Sequence, residues 1–574
     1  MALHEVGRPG AASPLDRSTV PQPTPHEASL AEAVEVYHRT YTTILRSSGE
    51  TQLKVFETSH KAMGSSLHPL AASSELDLGA FLYSSRRLPG AIARAERVVM
   101  GQSAEVFLQR GYAPFSEWTE IGAPGRRPRW YDDGRGTLAV LIASASDVDD
   151  LIPTMVAFQI EWNKVRIALR DSEIADPTQC TPADCAAALG GAKDDWLALH
   201  KFWGPAFGRR LGEVADRHMA LRVRMLGGTQ VGYARVTRRW WQQVTGLMRS
   251  EGLLDRPVYS ISNLLTGTAQ RHQQRLVEMV RTHGTGDLRE ELERFDVGTA
   301  EGNWNNFLFY AARVLLGSAR ESDRAAIRRE EREAGVFNVP SRTALDVAAQ
   351  VIPIDRLATD NLDDRLGPVD ANALRNCPAV IVNIDYPLGL AAYNILREVA
   401  ETAAELRGIY VLGKAATLNA DVGDVMISSV IHDEHSRSTY WLDNAFQVAD
   451  IAPYLRFGSG LDNQRAVSVK GTFLQNRGYL DFYYREAFTV VEMEAGPYCN
   501  AVYELSEAAR YPMSEPVNFS KLPIDFGVIH YASDTPFTQA RTLGARGLSY
   551  FGMDSTYASS VAILRRIFQR EQLP

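Results

Sequence analysis

Cysteine is scarce: the chain has four in 574 residues, Cys180, Cys185, Cys377 and Cys499. Only Cys180 and Cys185 are close in sequence. Their four-residue gap is unusual for zinc, and no second pair completes a site, so a loop disulfide or two unrelated thiols fits better. Long apolar runs are missing too, and none reaches the length needed to span a bilayer. A basic leader followed by an apolar core is also absent at the N-terminus, so the expected location is the cytoplasm and no membrane partner is expected. Positive charge is not in excess. With 61 Lys and Arg against 69 Asp and Glu the formal net charge is −8, which argues against a nucleic-acid or anionic-membrane surface. Arg far outnumbers Lys, so a Lys in a candidate site stands out. No internal repeat occurs.

What is present is an ordinary globular composition, 45% apolar and 23% charged, with ample material for a core. A length of 574 residues suggests two to four domains. Residues 1–28, rich in Pro, Ala, Ser and Thr, are expected to be disordered. A helix is expected to begin near Ser29, which has Glu32 at capping-box spacing. The region 29–335 reads as a mainly helical domain of unassigned role, with one buried strand over 137–145 leading into a helix that runs through Leu169. From about residue 340 to 574 the texture changes. Strands at Ala379–Ile384, Ile409–Leu412 and Val425–Ser428 alternate with a helix over 391–406. This pattern predicts an α/β domain with a mainly parallel sheet.

Two stretches carry candidate chemistry. Val490-Val-Glu-Met-Glu-Ala-Gly-Pro-Tyr498 reads as a short strand that ends in two carboxylates and enters a helix. Tyr531-Ala-Ser-Asp-Thr-Pro536 reads as another strand end before a helix. Ligands of open α/β sheets collect at the carboxyl ends of strands. Plainer readings exist for each residue. Thr535 and Pro536 suit a helix start, Glu492 and Glu494 complement a helix dipole, and Met493 and Phe473 suit core positions. His432-Asp-Glu-His435 has two histidines three apart after a strand, but it does not match a helical metal motif, and no metal site is assigned.

Taken in order, Val411-Leu-Gly-Lys-Ala-Ala-Thr with its downstream Val422-Gly-Asp424, Val491-Glu-Met-Glu-Ala495 and Ala532-Ser-Asp-Thr-Pro536, after the strand and helix of 379–406, resemble the nucleoside phosphorylase/nucleosidase superfamily. The resemblance covers about residues 375–560. It implies an α/β fold of nucleoside phosphorylase-like kind, a mixed sheet flanked by helices, preceded here by the large mainly helical region. It also implies cleavage of an N-glycosidic bond. On that reading Asp534, oriented by Ser533, protonates the leaving base. Glu494 grips the ribose hydroxyls as positive charge develops on the sugar, Met493 packs against the sugar, and Glu492 activates water. Phe473 stands where the family often stacks the base, with Gln475 beside it. Gly413 opens the small-residue loop, and the following Lys414 replaces the family's hydroxyl with a cation, which either binds a phosphate as a point charge or abolishes the family's phosphate site.

The expected function is cleavage of a purine nucleoside or nucleotide, by hydrolysis rather than phosphorolysis because the phosphate loop is altered. No cofactor is implied beyond inorganic phosphate as a co-substrate. The partner is a small-molecule nucleoside or nucleotide, and the family commonly forms homo-oligomers. The competing reading is a nucleotide-binding sensor or regulatory protein that keeps the contacts and has lost turnover.

Overall fold

The computed structural model describes residues 25–47, 49–123, 126–284, 286–316, 321–357, 359–506, 510–534 and 550–573. Residues 1–24 of the expected disordered N-terminus, and Thr535 and Pro536, therefore lie outside the described residues. Helix is already formed at Pro25, ahead of the expected start at Ser29.

The described residues form a mixed α/β structure with two sheets. The smaller contains β1 (Thr51–Gln52), β2 (Arg97–Gly101), β3 (Thr119–Ala123), β4 (Arg126–Asp132), β5 (Thr137–Leu141) and β6 (Arg222–Leu226), in the order β1-β6-β2-β5-β4-β3. Its centre is parallel, with β2 between β5 and β6. The Thr-Leu-Ala-Val-Leu of β5 is buried throughout, as a strand covered on both faces requires. Ser144 and Asp147 then form a capping box, and the helix Ala145–Asp171 follows.

The larger sheet comprises β7 (Val258–Ser262), β8 (Phe337–Val339), β9 (Ala349–Pro353), β10 (Val380–Ile384), β11 (Leu406–Thr417), β12 (Val425–Asp433), β13 (Ser438–Leu442), β14 (Gly460–Ser468), β15 (Val490–Glu492), β16 (Pro516–Phe519) and β17 (Asp525–Asp534). Strands β7, β10, β11 and β17 are mutually parallel where they pair. Strand β17 also pairs with β12, while β12, β14, β15 and β11 pair in succession. Those pairings close a five-stranded ring, which leaves none of its members as a free edge.

The expected division near residue 335–340 needs correction. Helix does predominate over 29–335, but the region is not a separate helical unit. It holds the smaller sheet, and it supplies β7 to the middle of the larger one, between β11 and β10. The cores are shared as well. Trp240 and Val99 pack in one cluster with Val351, Val382 and Ile395, and Phe81 and Met155 pack in another with Val467, Phe473 and Val491. No helix among the described residues is long and apolar enough to cross a membrane.

Candidate functional site

A cavity of about 770 Å³ opens where the carboxyl ends of β7, β10 and β17 meet the far part of β11 and the end of β15. Its volume falls in the range of small-molecule sites. Lys414, Glu492, Met493, Glu494 and Ser533 line it together. They come from β11, from β17, and from the end of β15 with the two residues after it, which the register aligns: Lys414 pairs with Tyr531, and Ala416 pairs with Val491 and with Asp534.

The β11–β17 ladder is irregular at this point. Ala415 pairs with Ala532, but Ala416 pairs with Asp534, so Ser533 is the extra residue of a bulge. Its hydroxyl donates to the Ala415 carbonyl at 3.1 Å. Bulges beside sites re-aim side chains, and this one falls on the Ser-Asp pair. The backbone of Asp534 ends β17; its side chain lies outside the described residues.

The two glutamates have different surroundings. Glu492 Oε2 accepts the backbone N–H of Glu494 at 2.6 Å and of Ala495 at 2.7 Å, and the Ser468 hydroxyl donates to Oε1. Ser468 in turn accepts the N–H of Gly496 at 2.6 Å. Glu492 thus satisfies the first amide donors of the helix Ala495–Ser506, which would otherwise be orphaned. Oε2 holds the helix start directly and Oε1 holds it through Ser468, while Glu492 also lines the cavity. Glu494 lines the cavity too, its carboxylate without a share in this cap. Gly413 lies beneath it, where a Cβ would stand 3.0 Å from the His530 ring and 4.0 Å from Glu494 Oε2. Glycine at 413 lets β11 pass close to the His530 ring.

Phe473 is also corrected. It does not line the cavity; its ring packs edge-on to Tyr83 at 5.2 Å and against His60 at 6.0 Å, inside the core. The short helical turn Thr472–Leu474 turns it inward, while Thr472 and Gln475 reach the cavity. The Gln475 Oε1 atom is buried there with no hydrogen-bond partner among the described residues.

Several residues in and behind the cavity wall escaped the sequence reading. Asn263, just past β7, has φ 63° and Tyr386, just past β10, has φ 45°. Both are left-handed conformations that cost energy for residues other than glycine. Asn263 Oδ1 accepts the Tyr386 N–H at 2.6 Å, and Asn263 Nδ2 donates to the Leu412 carbonyl at 2.6 Å. One side chain therefore ties the ends of β7 and β10 to the middle of β11. It holds Tyr386 so that its hydroxyl meets that of Tyr531 at 2.6 Å in the cavity wall. Burial pushes both phenols above their ordinary range, so both remain protonated. The signal that would have found β7 is the β-branched and aromatic run Val-Tyr-Ser-Ile-Ser between Pro257 and Asn263. Arg87, from the end of the helix Leu78–Arg87, and Arg313, from the helix Trp304–Leu316, also line the cavity, and nothing local in sequence marks them.

The two histidines of the 432–435 stretch point to different partners. His432 Nδ1 lies 2.9 Å from Thr439 Oγ1, and His435 Nδ1 lies 2.9 Å from Asp433 Oδ1. Among the described residues no group of three or more His, Cys, Asp or Glu is arranged to hold a metal ion.

A family profile described as "Family of unknown function (DUF6909)" matches residues 53–569, and the chain belongs to that family. No curated protein matches it. Solved structures similar to it include a methylthioadenosine phosphorylase from an antarctic soil metagenomic library, at 11% identity and TM-score 0.25, covering 34% of this chain and 74% of that one. The 5′-methylthioadenosine/S-adenosylhomocysteine nucleosidase of Neisseria meningitidis, in complex with methylthio-immucillin-A, is similar at 13% identity and TM-score 0.26, covering 54% and 98%. The corresponding nucleosidase of Campylobacter jejuni is similar at 9% identity and TM-score 0.27, covering 55% and 99%.

Proposed function

We propose that the protein cleaves the N-glycosidic bond of a purine nucleoside or nucleotide by hydrolysis. The observation that carries this reading is the shared wall. Met493, Glu494 and Ser533, from strands apart in sequence, line one cavity of about 770 Å³ beside two protonated phenols. In the reaction, water adds to the anomeric carbon as the carbon–nitrogen bond breaks. The base leaves with the bonding electron pair and takes up a proton, yielding free base and sugar. Asp534 is the proposed proton donor, with Ser533 fixing the bulge that carries it. Glu494 grips the sugar hydroxyls and stabilises the developing positive charge. Hydrolysis is proposed over phosphorolysis because the family's phosphate loop is altered at Lys414, where a hydroxyl would follow Gly413.

One observation favours the second reading, a nucleotide sensor without turnover: Glu492 is already occupied as a helix cap. Chromatographic assay of base release decides between the two. The protein is incubated with AMP, adenosine, guanosine, inosine, uridine and methylthioadenosine, each with and without phosphate, beside Asp534→Asn. Release that is independent of phosphate and falls roughly 10²–10³-fold in the variant supports the hydrolase. Ligand-induced stabilisation with no release of any base supports the sensor.

A further inference from the structure

The cavity's charges are unevenly satisfied. On the acidic side, Asp147 Oδ2 accepts the N–H groups of Ala143 at 2.6 Å and Ser144 at 2.9 Å. Asp346 has Arg129 at 3.7 Å, and Glu492 caps a helix. On the basic side, Arg87 forms no hydrogen bond or ion pair among the described residues. Its guanidinium lies 4.1 Å from the centre of the Tyr83 ring, and its Nε is buried without a partner. Stacking on an aromatic face satisfies the π surface of a guanidinium and leaves its in-plane donors free. A buried donor with nothing to bond to is costly, so a native structure that keeps one calls for an explanation.

The lining sets three cations beside the carboxylates Asp147, Asp346, Glu492 and Glu494. Arg87 shares the cavity with Lys414 and Arg313. The helices Ala145–Asp171 and Leu390–Thr402 begin at the same wall, where the Leu390 N–H donates to Ser146 Oγ at 3.0 Å, and helix N-termini favour negative charge. The planar donor edge of a guanidinium matches phosphate oxygens in pairs.

We propose that Arg87 is the anion anchor of this cavity and that the ligand it holds is a phosphate group. The ligand-binding site is then completed by the helix Leu78–Arg87, from the half of the chain outside the stretch that carries the candidate motifs. This inference rests on the nucleosidase reading only for the choice of probes. The phosphate belongs either to a nucleoside 5′-monophosphate or to free inorganic phosphate, and the assay separates them.

The test uses the full chain and measures binding of AMP, adenosine and inorganic phosphate by titration calorimetry. Arg87→Gln and Arg87→Lys are compared with wild type, and Arg86→Gln, whose guanidinium lies 5.7 Å from the Phe202 ring, serves as the control. Wild type and Arg86→Gln are expected to bind a phosphate-bearing probe alike. Arg87→Gln is expected to weaken that binding by about tenfold or more, and Arg87→Lys by less, since it keeps charge and loses the fork. AMP bound more tightly than adenosine assigns the phosphate to the nucleotide. Inorganic phosphate bound without that preference assigns it to a free co-substrate. Unliganded melting temperatures check folding, and if Arg87→Gln does not fold, Arg87→Lys carries the test. Equal binding of AMP and of phosphate by wild type and the Arg87 variants overturns the proposal, as does binding of neither by wild type. Arg87-dependent binding without base release would leave the anchor standing and remove the nucleosidase reading. Base release from AMP at an unchanged kcat/KM in Arg87→Gln would do the reverse.

Discussion

Glu492 Oε2 accepts the backbone N–H of Glu494 at 2.6 Å, so one carboxylate of the Glu-Met-Glu sequence fixes the position of the other. The two should separate under mutation. Glu494→Gln keeps the shape of the cavity wall and removes its charge. It is expected to lower kcat/KM for base release by roughly 10²–10³-fold with little change in melting temperature. Glu492→Gln places an amide NH₂ where Ser468 Oγ or the amides of Glu494 and Ala495 need an acceptor. It is expected to cost about 1–3 kcal/mol of stability, with an activity loss that follows from displacement of Glu494. Denaturant unfolding and steady-state assays on both variants check this. A stable Glu492→Gln that loses activity as severely as Glu494→Gln would assign a direct chemical role to Glu492.

The contrast between these residues and the rest of the site shows what local sequence carries. Val490–Ala495 and Ala532–Asp534 were legible because strand, carboxylates and helix start are consecutive, and a short window holds the whole pattern. The central strand β7 was not. Its five residues stand between two helices, and only parallel pairing with β10 and β11, more than 100 residues away, makes them part of the larger sheet. Arg87 and Tyr386 belong to the same class, since neither has a local signature. Asn263 and Tyr386 adopt left-handed φ that their residue types do not announce. Those conformations persist because tertiary hydrogen bonds over-determine them. Phe473 failed in the opposite way. The right segment was singled out, but a single 3₁₀ turn decides which of its side chains faces the cavity.

Phe473 gives a second prediction. Its ring is 2% exposed and packs on Tyr83 and His60. Phe473→Ala is therefore expected to destabilise the protein by about 3–5 kcal/mol through lost burial and a residual cavity. KM, measured below the lowered melting temperature, should change by less than about twofold, since the ring does not touch the ligand space. Chemical denaturation and kinetics at 20–25 °C distinguish this from a base-stacking ring, whose loss would raise KM and leave stability nearly intact.

Asn263 ties the ends of β7 and β10 to the middle of β11, and its substitutions separate backbone strain from hydrogen bonding. Asn263→Gly relieves the left-handed φ of 63° and deletes the bonds to the Tyr386 N–H and the Leu412 carbonyl. Asn263→Ala deletes the same bonds and adds a Cβ penalty. Both are expected to be destabilised by about 1–3 kcal/mol for buried groups left unsatisfied. Alanine should be worse than glycine by about 1–2 kcal/mol for the conformation. If the two variants unfold at the same denaturant concentration, the conformation contributes nothing. If glycine matches wild type, the relieved strain offsets the lost side-chain bonds.

The buried pair Asp433–His435 sets a pH dependence whose direction follows from its surroundings. Burial lowers the His435 pKa, but the Asp433 carboxylate at 2.9 Å more than reverses this, leaving it above the ordinary histidine value. Burial raises Asp433, and its charge interaction with His435 and hydrogen bonds from His435, Asn500 and the Ser436 N–H carry it below the usual carboxylate range. Histidine's contribution is complete below its unfolded pKa of about 6.5 and is lost as pH rises through the elevated folded value. The carboxylate's contribution is present above about 3.9 and is lost as pH falls through the depressed folded value. The pair thus stabilises most between about pH 4 and 6.5, and the melting temperature should decline on the alkaline side of that window. His435→Gln is expected to lower the plateau, by up to about 3–5 kcal/mol where Asp433 is left buried without its cation, and to flatten the alkaline decline. Melting curves between pH 4 and 9 on both proteins check the assignment. An alkaline decline of the same size in His435→Gln would place the titrating group elsewhere in the fold.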